Sequence, residues 1–309
     1  MSRRGWVLFA LLSVLWGIPY LLIKVAVAGV SVPVLVFART ALGALVMLPL
    51  AARAGGFDRV RRHWRPVAAF AALEIIGPWA LLSDAERHLS SSMTGLLIAA
   101  VPIVGAVLDR ATGDTERLGP LRWTGLLLGL GGVAVLAWPQ LDGGAAVRPV
   151  AEVLLVVIGY ATAPMIVARR LGDVASLPLN ASCLTLAALV YAPAAVATRP
   201  AALPDGRVLA ALAGLGAVCT ALAFLVFFEL IREVGASRAM VVTYVNPAVA
   251  VIAGVLVLGE PLTLTIAAAF ALILCGSLMA TARRAHDAPP AKTAGPSARP
   301  AAEEPAPRA

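Results

Sequence analysis

A chain of 309 residues that is 60% hydrophobic and only 14% charged, with a mean hydropathy of +0.89, has no polar surface to offer water. Soluble domains run at roughly 45–50% apolar and about 25% charged, so this balance excludes a soluble enzyme. It also excludes a soluble nucleic-acid binder, despite a net charge of +8. Apolar windows of about 18 residues or more, the length that spans a bilayer, recur along nearly the whole sequence and predict an all-α integral membrane protein in contact with lipid on every side.

Taken in chain order, hydropathy predicts ten transmembrane helices over residues 6–27, 33–52, 67–84, 91–109, 121–138, 151–168, 178–197, 208–230, 237–258 and 263–282. The first follows the basic start MSRR. Its apolar run continues to Val27 without a small-residue cleavage site, beyond the about 7–15 residues of a signal-peptide core, so it reads as a spanning helix. The connections are short and leave no room for a soluble catalytic domain. After Arg284 the chain turns rich in Pro and Ala, and residues 285–309 read as a disordered cytoplasmic tail. Cys183, Cys219 and Cys275 lie far apart within apolar runs and read as small core residues. His63, His88 and His286 are equally scattered. With no metal-ligand spacing and no Walker motif, no cofactor and no metal are expected.

Arginine and lysine in the loops set the orientation. With the N-terminus inside, sixteen arginines fall on the cytoplasmic side, among them Arg3, Arg59, Arg110, Arg169 and Arg283. Only Arg87, Arg148, Arg199 and Arg207 fall outside. Both termini are therefore expected in the cytoplasm. The Ala- and Arg-rich usage fits a bacterial origin and places the protein in the inner membrane.

The chain also repeats itself. A shift of 145 residues superposes Pro19 on Pro164, Lys24 on Arg169, Pro33 on Pro178, Asp84 on Glu229, Ser92 on Ser237 and Pro102 on Pro247. After one residue of slippage Glu116 falls on Glu260 and Gly132 on Gly276. Two five-helix repeats follow, residues 1–148 and 149–284. Five is odd, so the second enters the membrane from the opposite face, giving an inverted-topology repeat with a site expected near the midplane. Pro102 and Pro247 are expected to kink equivalent helices, since proline frees a backbone carbonyl.

The stretches WGIPYLLIK, FARTALGALVMLP, GDTERLGPLRWTGLLLGLGGVAVL and VNPAVAVIAGVLVLGEPLTLTIAAAFALILCGSLM resemble the EamA-type branch of the drug/metabolite transporter superfamily. The pattern of Pro, then Leu-Gly-Glu, then Gly is clearest at Pro247, Glu260 and Gly276, and is degraded at Pro102, Glu116 and Gly132. The resemblance covers residues 6–282 and implies ten helices in two repeats. It also implies export or exchange of small polar metabolites, typically amino acids.

Ionisable groups inside spans cost about 2.5–3.5 kcal/mol on insertion scales, so each is a candidate for function. Arg39, six residues into helix 2, either snorkels to the interface or faces a cavity. Its place matches a basic residue common in that family's second helix. Lys24 shares a stripe with Ser13, Trp16 and Tyr20, suited either to a pore surface that holds a carboxylate or to an interfacial anchor. Glu74, near mid-membrane in helix 3, is a candidate proton carrier or a counter-ion for Arg39. Tyr160, Tyr244 and Asn246 offer hydrogen bonds at membrane depth, for substrate or for helix packing. Glu116 and Glu260 precede the last helix of each half, where a carboxylate complements the helix dipole; Glu260 is expected to cap helix 10. Gly125, Gly129 and Gly132 form a close-packing face, inside one protomer or between two, so monomer and homodimer both stay open.

A secondary carrier working by alternating access, with proton coupling through Glu74, is the reading these features favour. A lipid-like flippase or a channel would share the architecture. A membrane-embedded enzyme would have to rest on the isolated SDAERH cluster, Ser83 to His88, which lacks a nucleophile or metal constellation.

Overall fold

The computed structural model describes residues 1–112, 119–141 and 147–281. Glu116 and the tail at 285–309 lie outside the described residues. What is described is helical throughout. Among the described residues nine helices are long and apolar enough to cross a membrane: Arg3–Ala26 (helix 1), Val32–Ala54 (helix 2), Trp64–Ala85 (helix 3), Ser91–Leu108 (helix 4), Pro120–Trp138 (helix 5), Val147–Arg170 (helix 6), Ser176–Ala197 (helix 7), Gly206–Val234 (helix 8) and Met240–Leu258 (helix 9). A shorter apolar helix, Leu264–Met279, is helix 10.

The packing has the symmetry that the sequence repeat implies. Helix 2 packs on helix 7, helix 4 on helix 9 and helix 5 on helix 10, so each of these lies against its own repeat equivalent. Helix 1 packs on helix 8 as helix 6 packs on helix 3, and helix 1 on helix 9 as helix 6 on helix 4. Exchanging the halves maps these contacts onto themselves. The chain is thus an all-α membrane protein of ten helices in two inverted five-helix repeats.

Several helices are broken where the sequence suggests only kinks. Helix 4 runs Ser91–Ile98, stops, and restarts as Val101–Ala111 with Pro102 in its first turn. Helix 9 opens with a 3-10 turn, Met240–Tyr244, and restarts as Asn246–Leu258 with Pro247 in the first turn. Proline is tolerated there because the first N–H groups of a helix lack intrahelical partners anyway. Helix 1 breaks at Ile18, ahead of Pro19, dividing the Ser13–Lys24 stripe between two segments. Helix 6 carries the equivalent Pro164 without a break. Helices 3 and 8 contain wide π-turns, Ala72–Ile76 and Gly214–Leu222, at equivalent places in the two repeats.

Freed carbonyls find side-chain partners, across the bundle or within their own helix. Ser277 Oγ donates to Ala99 O at the break in helix 4 (3.0 Å). Tyr191 OH donates to Ile76 O in one π-turn (2.8 Å), and Thr220 Oγ1 to Leu215 O in the other (2.8 Å).

Glycine allows the closest approach, between helices 5 and 10. A β-carbon on Gly276 would overlap the Gly129 backbone, and one on Gly132 would lie 2.9 Å from the backbone nitrogen of Ile273. The glycine face of helix 5 therefore packs inside the protomer. Gly17 is pressed against Val249 in the same way, joining helix 1 to helix 9 near both breaks. Cys183 and Cys219 are buried as expected, but Cys275 is exposed on helix 10.

Glu260 does not cap helix 10. Its carboxylate reaches across to the start of helix 4, accepting from Ser91 N (2.7 Å), Ser91 Oγ (2.9 Å), Ser92 N (2.9 Å) and Ser92 Oγ (2.5 Å). Those N–H groups have no partner within helix 4, and its dipole favours an anion there. Burial pushes the Glu260 carboxyl up, but the four hydrogen bonds outweigh this and hold it below the usual carboxylate range. Glu229 and Arg232 pair at 2.8 Å, one turn apart on helix 8, joined by Arg4. Asp84 is 3.7 Å from Arg87 but only 2.6 Å from Arg148 of helix 6.

Two outcomes follow for thermal stability in detergent. Gly276→Leu should overpack the helix 5–helix 10 contact and cost about 1–3 kcal/mol or more, while Gly131→Ala, which meets open space, should leave the melting temperature unchanged. Glu260, ionised more readily when folded than when unfolded, contributes stability that is present at neutral pH and lost as the pH falls through its lowered pKa. Glu260→Gln should therefore melt lower at neutral pH and lose less than the wild type on acidification.

Candidate functional site

Arg39 is the centre of the interior polar cluster. It is only 6% exposed, so it does not snorkel. Helix 2 carries it into the bundle opposite the π-turn of helix 8, where Nε donates to Thr220 Oγ1 (3.1 Å). Its Cζ lies 3.6 Å from the centroid of the Trp79 ring on helix 3. A desolvated cation on a tryptophan face gains about 2 kcal/mol or more, which offsets part of the cost of burying the charge. Guanidinium offers five donors. Among the described residues Nε alone donates a hydrogen bond, which leaves the donors of the two terminal nitrogens uncommitted there.

Tyr20 of helix 1 and Tyr160 of helix 6 both interact electrostatically with Arg39 and with each other. Cys219, one residue before Thr220, is a further neighbour of the guanidinium. Glu74 lies in the π-turn of helix 3, near Tyr160 and Cys183. Among the described residues no ion pair joins it to Arg39, so the counter-ion role expected for it is not taken up here. The polar interior runs from Glu74 through Tyr160 to Arg39 and Tyr20.

The remaining candidates are distributed around this cluster. Asn246 stands at the restart of helix 9, and its buried Oδ1 has no hydrogen-bond partner among the described residues. Such an orphaned acceptor costs roughly 1–3 kcal/mol, and it sits where helix 9 faces the break in helix 1. Tyr244 ends the preceding 3-10 turn and is half-buried. Trp16 packs with Phe227 (4.8 Å between centroids) and Phe224 (6.1 Å) of helix 8, in a separate aromatic cluster. Lys24 is neither a loose anchor nor an open carboxylate site: Nζ donates to the backbone carbonyls of Glu86 (2.6 Å) and Leu89 (2.7 Å) beyond helix 3.

Within the SDAERH cluster, Ser83 bonds to Trp79 O, Asp84 pairs with Arg148, and His88 lines a surface cavity with Ser90, Thr263 and Thr265. These groups are spread over three environments and form no nucleophile–base pair.

Trp79 and Thr220 escaped sequence reasoning. Each is an ordinary residue on an apolar helix, and only the packing of helices 3 and 8 around helix 2 brings them to Arg39. A tryptophan one turn past a mid-helix glutamate was the one available signal.

The model of the EamA-like transporter family matches this chain twice, over residues 4–138 and 149–282. An uncharacterized transporter of Bacillus subtilis (strain 168), YvbV, is 26% identical over 277 residues, covering 88% of this chain and 90% of that protein. An uncharacterized transporter of Archaeoglobus fulgidus is 23% identical over 290 residues, 91% of this chain and all of that protein. A solved crystal structure shares the fold, with a TM-score of 0.66 at 19% identity, over 91% of this chain and 98% of the other. This ten-helix chain belongs to the EamA-like transporter family and is a multi-pass membrane transporter.

Proposed function

We propose that the protein is a secondary carrier that exports small polar metabolites bearing a carboxylate, amino acids or close relatives, by alternating access. Its two repeats, 1–148 and 149–284, rock about the interior cluster, and it sits in a bacterial inner membrane with both termini cytoplasmic. The observation that carries this reading is Arg39: a buried cation, held in place by Thr220 and Trp79, with donors to spare. A carboxylate suits that fork in charge and in geometry. Tyr20 and Tyr160 border it, and the open acceptor of Asn246 suits an ammonium or hydroxyl. Trp16, Tyr244 and Lys24 act around this site, Trp16 and Lys24 by holding helix 1.

Glu74 is the proton carrier in this reading. It lies inside the bundle with no cationic partner among the described residues, and its neighbour Tyr160 also neighbours Arg39. A carboxyl group there has every reason to bind a proton in one state and release it in another.

The test is a metabolite profile of spent medium from cells expressing the wild type or Arg39→Ala. A carboxylate compound enriched by the wild type alone is the expected result. A lost charge-assisted hydrogen bond costs about 1.5–3 kcal/mol, so affinity for that compound should fall by about ten- to hundredfold. Arg39→Lys should fall between, since an ammonium keeps the charge but not the fork. An unchanged medium with an altered lipid would instead favour flipping of a lipid. Glu74→Gln should weaken the pH dependence of transport; transport as pH-dependent as before would remove Glu74 from the coupling role.

A further inference from the structure

Glu86 follows the last turn of helix 3 as its C-terminal cap. It is fully buried, and neither carboxylate oxygen has a hydrogen-bond partner among the described residues. With Lys24, Val27, Ala28 and Arg87 it lines a cavity of about 220 Å³ at the end of the bundle away from the N-terminus. The groups that face it come from three directions. Lys24 and Tyr20 belong to helix 1, and Glu260 to the connection between helices 9 and 10; Arg87 shares the cavity wall.

An ionised carboxylate buried without partners is costly. The obvious partner is elsewhere: the Lys24 ammonium spends two of its three donors on the carbonyls of Glu86 and Leu89. Glu260 is already ionised and committed to the start of helix 4. Burial pushes the Glu86 carboxyl well above the usual carboxylate range; Lys24 pulls against this and Glu260 adds to it.

We propose that Glu86 is a proton-binding site, and that its proton locks helix 1 onto the connection between helices 3 and 4 at this end of the carrier. With the proton in place the side chain is neutral and stays buried, and Lys24 stays on the two carbonyls. When the proton leaves to solvent, the carboxylate must either reach water or take Lys24 from Glu86 O and Leu89 O. Both dismantle the tie between helix 1 and the helix 3–helix 4 connection. The sign follows from linkage: the locked state holds the proton more tightly than a state with Glu86 in water, so acid favours locking and alkali favours opening. This site rests on the carrier reading for its role in transport, while its own test needs no substrate.

Infrared spectra of the purified full-length protein in lipid nanodiscs test proton binding directly. Glu74→Gln should retain the C=O band of a protonated buried carboxyl at neutral pH, and adding Glu86→Gln should remove it. No such band in Glu74→Gln overturns the proposal. The lock is tested by labelling Val27→Cys, in a Cys275→Ser background, with a membrane-impermeant maleimide. Measured against a freely exposed reference cysteine, whose thiolate fraction itself grows with pH, the relative rate should rise several-fold from acidic to alkaline pH with Glu86 present, and stay low and flat with Glu86→Gln. An equal rise in Glu86→Gln overturns the lock. Failure of the metabolite experiment with this pH response intact would sink the carrier reading and leave the proton site standing.

Discussion

No water is available in the bilayer core to satisfy a stray N–H or C=O, so irregular backbone survives at membrane depth only against other protein or a wet cavity. That constraint organises this molecule. Helices 1, 4 and 9 are broken and helices 3 and 8 carry π-turns. Ser277, Tyr191 and Thr220 satisfy freed carbonyls at three of them. The same positions gather the polar side chains that hydrocarbon would reject. Arg39 packs against one π-turn and beside the other helix that carries one. Glu74 lies within a π-turn, and Asn246 at a helix restart. Buried polar side chains and backbone faults have the same requirement, and here they share one location.

The stabilising contacts differ in kind between the middle and the ends. In the middle, glycines let helix 5 meet the backbone of helix 10 and let helix 1 press against Val249 of helix 9. Such contacts are short-ranged and rigid. At the ends, the ties are polar: Lys24 on two carbonyls and Glu260 on the start of helix 4 at one end, Arg4 with Glu229 and Arg59 with Asp173 O at the other. Surface ion pairs contribute little each, about 0–1 kcal/mol. Rigid contacts in the middle with breakable ones at both ends suit two bodies that rock about a fixed centre.

Much of the architecture was legible in the residues. The ten apolar runs, the repeat register near 145 residues and the paired Pro102 and Pro247 all correspond to features of the fold. The candidates Arg39, Tyr20 and Tyr160 do come together. Less legible were the consequences of proline: a kink and a full restart have the same sequence, and the neighbouring helix decides which is tolerated. The partner of Glu260 was misplaced because a carboxylate just before one helix looks like its cap, yet the unsatisfied N–H groups it meets belong to helix 4, some 170 residues earlier in the chain.

The sequence by itself determined that this chain lives in a membrane, that it has ten helices, and that its halves are related. Those properties are sums over long windows of hydropathy and register, which local composition fixes. Only the tertiary structure decided that Arg39 rests on Trp79 and Thr220 rather than on Glu74, that Lys24 holds two carbonyls beyond helix 3, and that Glu86 is buried without a hydrogen-bond partner among the described residues. These depend on which faces of distant helices meet. Contact across a bundle is set by three-dimensional packing, to which the spacing of residues along the chain gives no address.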